Sequence, residues 1–254
     1  MYKEILVFNF VRRRWKLLNE DENGDDDMSD GGVPDELASS SMLMFGKTLV
    51  IFGGTSYPFG LRCSNAITLV NPEEKPFRAQ ELKTLNDESN QPPGQYGMSI
   101  ACKDKFLYTL GGTQGFDYTA DLFRMNFETH KWELLAISRP EIDSIQPIGR
   151  YRHEIAIDSR FVYIFGGGTS DQVFDLKTLP VYDLVERKWN RIETYPNSIE
   201  QYPKPRKCHS LVQHTVKDIH GEDETFVYIV GGNNQTGPLN DVWRLSLKTR
   251  QWFC

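Results

Sequence analysis

Phe161-Val-Tyr-Ile-Phe-Gly-Gly167 decides the fold, because the chain says it four times. Thr48-Leu-Val-Ile-Phe-Gly-Gly54, Phe106-Leu-Tyr-Thr-Leu-Gly-Gly112 and Phe226-Val-Tyr-Ile-Val-Gly-Gly232 are the same phrase, an apolar run closed by two glycines, at a spacing of about 55 to 65 residues. A second signal recurs in phase with it. A large apolar residue is followed seven positions later by tryptophan at Met125 and Trp132, Tyr182 and Trp189, and Leu245 and Trp252. Val70 and Phe77 keep the spacing with Phe in the Trp place, and Phe8 with Trp15 shows it at the start of the chain. A fixed period of this size is the mark of a repeat architecture.

The unit can be read physically. The run before each glycine pair is apolar at odd and even positions alike, so its strand must be covered on both faces. Four-stranded sheets packed face to face around an axis supply that cover, which is the β-propeller arrangement. The glycine pairs Gly53-Gly54, Gly111-Gly112, Gly166-Gly167 and Gly231-Gly232 allow φ > 0 and close approach of a bulky neighbour. Trp132, Trp189 and Trp252, on the outermost strands, are expected to be that neighbour. In the clearest unit the strands are read as Arg152–Ile157, Phe161–Phe165, Leu179–Asp183 and Lys188–Ile192.

The expected organisation is one all-β propeller domain: a partial blade over 1–18, an acidic loop over 19–34, and blades over 35–85, 92–137, 147–194 and 203–254. The partial blade supplies only two strands, about Glu4–Phe10 and Trp15–Leu18, with Arg12-Arg13-Arg14 as the turn between them. Four complete blades plus a partial one fall short of a closed ring, so an incomplete version of a larger propeller is expected: a fragment, an alternative product or an incomplete gene model.

The other features exclude function classes. A net charge of −6 argues against a broad electrostatic grip on nucleic acid or anionic membrane. No stretch approaches the ~20 apolar residues of a membrane span, and Met1–Phe10 lacks the order of a signal peptide. Cys63, Cys102, Cys208 and Cys254 show no metal or disulfide spacing and read as reduced thiols of an intracellular protein. His130, His153, His209, His214 and His220 are not in ligand spacing. The acidic stretch from Glu20 to Asp30 lacks the glycine and the closing glutamate of a calcium loop. No nucleophile, phosphate-loop or metalloprotease motif occurs. A non-catalytic binding protein without cofactor or metal is the expectation, in the cytoplasm and also allowed in the nucleus.

The candidate site lies just before each inner strand. Aligned, these segments read Asp35-Glu-Leu-Ala-Ser-Ser40, Gly94-Gln-Tyr-Gly-Met-Ser99, Gly149-Arg-Tyr-Arg-His-Glu154 and Pro205-Arg-Lys-Cys-His-Ser210. In a propeller they enter near the central axis. Arg150, Arg152, Arg206 and Lys207 are therefore expected to converge on one opening, beside Tyr96, Tyr151, His153, His209 and Ser210. The loops after the glycine pairs add Thr55, Ser56, Tyr57, Thr169, Ser170 and Asn233. Planar guanidinium donors with hydroxyls close by suit a carboxylate. The competing reading makes the histidines ties between blades and gives the arginines an internal partner, Glu36 or Glu154.

Gly-Gly ending the second strand, an aromatic on the third and Trp on the fourth are together the kelch signature. Pro34-Asp-Glu-Leu-Ala-Ser39, Phe52-Gly-Gly-Thr55, Pro58-Phe-Gly60, Gly111-Gly-Thr113, Arg150-Tyr-Arg-His-Glu-Ile-Ala156, Gly166-Gly-Gly-Thr-Ser170 and Cys208-His-Ser210 resemble one kelch subgroup, the kelch domain-containing substrate receptors of cullin-2 RING ubiquitin ligases. The resemblance implies a six-bladed propeller that binds the extreme C-termini of substrates in its central pocket and docks to Elongin B, Elongin C and cullin-2 through a box beyond the propeller. That box is not found in this sequence, nor is a sixth blade. A scaffold or cytoskeletal role using the outer blade faces is the alternative.

Overall fold

The computed structural model describes residues 4–19, 32–85, 90–199 and 201–254, and among them every regular element is a strand. The acidic stretch from Glu20 to Asp30 lies outside the described residues. A short hairpin, β1 (Leu6–Asn9) and β2 (Arg14–Leu17), opens the chain. Arg14 begins β2, so the turn expected over three arginines is shorter than read. Four antiparallel sheets follow. Blade one is β3 (Ser41–Phe45), β4 (Thr48–Thr55), β5 (Cys63–Val70) and β6 (Ala79–Leu82). Blade two is β7 (Ser99–Lys103), β8 (Phe106–Thr113), β9 (Tyr118–Asn126) and β10 (Lys131–Ala136). Blade three is β11 (Glu154–Ile157), β12 (Phe161–Phe165), β13 (Thr178–Asp183) and β14 (Lys188–Glu193). Blade four is β15 (Ser210–Lys217), β16 (Asp223–Val230), β19 (Val242–Ser246) and β20 (Trp252–Phe253), with a small hairpin of β17 (Asn233–Asn234) and β18 (Gly237–Pro238) inserted after its glycine pair. This is the propeller arrangement expected from the repeat.

The double-faced burial of the second strands explains the stacking. In β12, Val162 and Ile164 belong to the core shared with blade two, while Tyr163 and Phe165 belong to the core shared with blade four. Every one of these four side chains is at most 5% exposed. The strand is thus sandwiched, which is why its sequence shows no polar alternation. The inner strands β3, β7, β11 and β15 stand side by side in that order around the axis. Polar ties join the blades as well: the Gln213 side chain bonds both the N–H and the carbonyl of Ile157, at 2.9 and 2.8 Å.

The seven-residue spacing is a cross-strand register. Met125 stands opposite Trp132, Tyr182 opposite Trp189, Leu245 opposite Trp252 and Phe8 opposite Trp15. Blade one departs from it. Val70 pairs with Ala79, because the connecting loop is two residues longer, and Phe77 lies outside the strand. Phe77 therefore does not take the tryptophan's place.

The tryptophans do not fill the space beside the glycines. Those on the outer strands of blades two to four pack instead against the preceding blade: Trp132 against Phe52, ring centres 5.6 Å apart, and Trp252 against Phe165 at 6.4 Å. Trp189 joins Leu110 and Leu122 in the core between blades two and three. Trp15, on the two-stranded hairpin, is 68% exposed.

Candidate functional site

Every inner strand is entered through the same four-residue turn: Leu37-Ala-Ser-Ser40, Gln95-Tyr-Gly-Met98, Arg150-Tyr-Arg-His153 and Arg206-Lys-Cys-His209. The equivalence is fixed by backbone bridges, Ala38 to Thr55, Tyr96 to Thr113, Tyr151 to Gly168 and Lys207 to Asn233. Blade one is displaced by one residue from the sequence alignment, so Leu37 rather than Glu36 matches Arg150.

The first position of the turn is structural in its bonding. Gln95 Nε2, Arg150 Nη1 and Arg206 Nη1 each donate to the carbonyl of the first glycine of their own blade, Gly111, Gly166 and Gly231, at 2.6, 3.0 and 2.9 Å. Arg150 is 4% exposed and lies over the face of Phe174, 4.0 Å from its centre. Burial pulls its pKa down to about 9, which still leaves it cationic at neutral pH. Arg206 is fully buried and grips Asp241 with two bonds of 2.7 Å. The expectation that these two guanidinium groups open onto a rim is corrected: both turn back into their own blade. Their internal partners are also not the expected ones, since Glu36 faces Arg62 and Glu154 bonds the Ser99 hydroxyl.

The fourth position explains the glycine pairs. A Cβ on Gly111 would lie 2.6 Å from His153 Cε1, and one on Gly167 would lie 2.5 Å from His153 Cβ. His153 is thus wedged between the first glycine of the preceding blade and the second of its own. His209 sits the same way against Gly166 and Gly232, and Met98 against Gly53 and Gly112. The bulky neighbour admitted by the glycines is this residue. Burial pushes the pKa of His153 down to about 3 and that of His209 to about 4, so both rings are neutral. At 1% and 3% exposed they are blade wedges and do not face the mouth, contrary to the expected convergence.

The third position is left-handed in all four blades: Ser39 (φ 54°), Gly97 (φ 67°), Arg152 (φ 53°) and Cys208 (φ 57°). Only one of the four is glycine, so the other three carry local strain of roughly 1 kcal/mol or more each. Their backbones form a relay. The Gly97 N–H donates to the Ser39 carbonyl at 2.9 Å, Arg152 to Gly97 at 2.6 Å, and Cys208 to Arg152 at 2.9 Å. This relay runs from blade to blade beside the axis.

In blades three and four the second and third side chains are what the mouth presents. Arg152 is half-buried and donates through Nη1 to Cys208 Sγ at 3.3 Å. Its guanidinium carbon and the Lys207 ammonium both lie over the Tyr151 ring, 5.3 and 5.4 Å from its centre. Lys207 also donates to the Thr169 carbonyl at 3.0 Å. Tyr118, which the sequence reading did not single out, packs its ring at a tilt against Tyr151, centres 5.2 Å apart. Tyr96 is buried behind Phe59, 5.9 Å away. Among the remaining expected residues, Ser170 and Ser210 are exposed and Thr169 is half-buried, while Thr55 and Ser56 are buried in the loop after Gly54. Glu154, two residues after Arg152, opens β11, and burial raises its carboxyl pKa to about 7. Among the described residues, no three of His, Cys, Asp and Glu converge as a metal site would require.

Comparison with known proteins agrees with this architecture. Residues 1–220 match the model of the KLHDC2/KLHL20/DRC7 Kelch-repeats domain, and residues 227–254 match the Kelch motif. The chain is 37% identical over 263 residues to a Drosophila melanogaster protein called Kelch domain-containing protein 10 homolog, covering 100% of this chain and 41% of that one. Kelch domain-containing protein 10 of Xenopus laevis is 35% identical over 252 residues, with 99% of this chain and 55% of the relative covered. The Homo sapiens protein of that name is 34% identical over 252 residues, with coverage of 99% and 51%. The chain thus spans about half the length of these relatives.

Proposed function

This chain belongs to the kelch-repeat family, and from that premise we propose that it is a non-catalytic recognition module that captures the C-terminal carboxylate of a partner protein at the propeller mouth. The observation that carries the reading is the pair of cations, Arg152 and Lys207, over one tyrosine ring where the entry turns meet. Arginine offers two parallel donors to a carboxylate, and lysine adds an ammonium donor. Arg150 and Arg206, bonded inside their blades, serve by holding the turns that carry these groups. The Thr169 carbonyl accepts from Lys207, and Ser170 and Ser210 follow in the adjoining chain as candidate hydroxyl donors. The resemblance to cullin-2 substrate receptors extends the proposal: the captured protein is presented for ubiquitination in the cytoplasm and nucleus, by an assembly that includes Elongin B, Elongin C and cullin-2.

The test is a titration of a display-selected peptide with free and with amidated C-terminus. The free acid should bind at least tenfold tighter, and Arg152→Gln should erase the difference. Equal affinity of the two peptides overturns the carboxylate reading. Co-purification of Elongin B, Elongin C and cullin-2 with the full-length protein from cells tests the ligase reading, and their absence overturns it. A scaffold role on the outer faces would instead survive Arg152→Gln.

A further inference from the structure

We infer that the mouth also reads the residues ahead of the carboxylate, and that it selects bulky apolar side chains there. This rests on the carboxylate reading above for the direction in which the peptide lies. The loops after the glycine pairs differ sharply between the two halves of the mouth. In blades three and four they are polar, as in Ser170-Asp-Gln172 and Asn234-Gln-Thr236. In blades one and two they raise Tyr57, Phe59, Leu61 and Phe116 into solvent, 78%, 54%, 70% and 95% exposed. These two loops touch: a Cβ on Gly60 would lie 3.0 Å from the Gln114 carbonyl and 3.6 Å from Gly115. The four side chains therefore rise from one pair of touching loops, here called the shelf, and grouped apolar exposure of this kind marks a contact site.

The shelf is continuous with the cations. Phe59 rests on Tyr96. Tyr96 bridges Thr113, which pairs with Tyr118. Tyr118 packs at a tilt against Tyr151, which lies beneath Arg152 and Lys207. These ring contacts and backbone pairings lead from the apolar loops of blades one and two to the cations of blades three and four. Charge complementarity fixes the polarity of a peptide laid along this path, with the carboxylate at Arg152 and the upstream residues toward Phe59. An extended chain rises about 3.3 Å per residue, so the steps of 5.9 and 5.2 Å at the two ends of this path each take roughly two residues. The shelf then meets the third to seventh residues before the terminus.

The experiment measures fluorescence polarisation of labelled ten-residue peptides, free acid or amide, with either Leu/Phe or Ser/Gln at the third to seventh positions from the end. Wild-type protein should prefer the apolar free acid over the polar free acid by about tenfold. Tyr57→Ser combined with Leu61→Ser and Phe116→Ser should abolish that preference, while Ile142→Ser, on an exposed outer loop, should not. Equal binding of the apolar and polar free acids to wild-type protein overturns the shelf and leaves the carboxylate reading standing. Equal binding of acid and amide, with the apolar preference retained and lost in the triple variant, supports the shelf and overturns the carboxylate reading instead. Binding of none of the peptides overturns both.

Discussion

Arg206 and the two wedge histidines show how a polar residue near a pocket can belong to the scaffold. Arg206 donates to the Gly231 and Lys204 carbonyls and forms the ion pair with Asp241, whose carboxyl it holds below the usual range with help from the Trp243 indole. Arg206→Ala should cost about 3–5 kcal/mol in urea unfolding, because it strands a partly buried carboxylate. Arg206→Gln should cost less, since Gln95 makes the same carbonyl bond in blade two. The histidines set a pH limit. Their folded pKa values lie below the unfolded value of 6.5, so the unfolded chain takes up protons first. The stability they contribute is complete above pH 6.5 and falls as the pH drops toward 4. Each should cost about 2 kcal/mol by pH 5. Glu154 works in the opposite sense: its raised pKa penalises the fold above pH 7 and relieves it on acidification. His209→Met, which installs the residue blade two uses as Met98, should remove about 2 kcal/mol of the loss between pH 7.5 and pH 5, read as the change in urea midpoint at the two values. The column containing Arg150, Arg206 and the histidines was legible in the sequence. The direction of each side chain was not, because a guanidinium at a turn suits an internal carbonyl as well as it suits a ligand. Gln95 in the same column is the clue, being an uncharged donor with the same reach.

At the scale of the blade, the apolar run, the glycine pair and the tryptophan were each readable, and the four sheets follow from them. What joins glycine to its neighbour was not readable, because the residue that fills the gap comes from the next entry turn and not from the outer strand. The two mechanisms can be separated by experiment. Gly111→Ala meets His153 Cε1 at 2.6 Å and the Arg150 carbonyl at 3.0 Å in a left-handed conformation. Gly46→Ala, equally left-handed, meets nothing within 4 Å. Thermal unfolding should show about 1–2 kcal/mol lost for Gly46→Ala, the conformational cost alone. Gly111→Ala should lose clearly more, and pairing it with His153→Ala should recover part of the difference through direct coupling. Equal losses at the two glycines would return the gap to the outer strand. Blade one hid its register for a separate reason. Its longer loop before β6 and its one-residue slip at Leu37 both break a spacing that the other blades keep.

For the whole molecule, the backbone relay through Ser39, Gly97, Arg152 and Cys208 ties all four blades at the axis. Hydrogen exchange should find the Gly97, Arg152 and Cys208 amides protected as strongly as those of the inner strands, although all three lie outside any strand. Fast exchange there would mean that the relay does not help to hold the blades together. The relay also divides the work of the entry turn. Backbone bonds and the wedge residues fix the width of the aperture, and the side chains at the second and third positions are free of that task. Such a mouth behaves as a fixed frame around interchangeable type. Its message can be rewritten over evolutionary time, or by a designer, one letter at a time and without resetting the page.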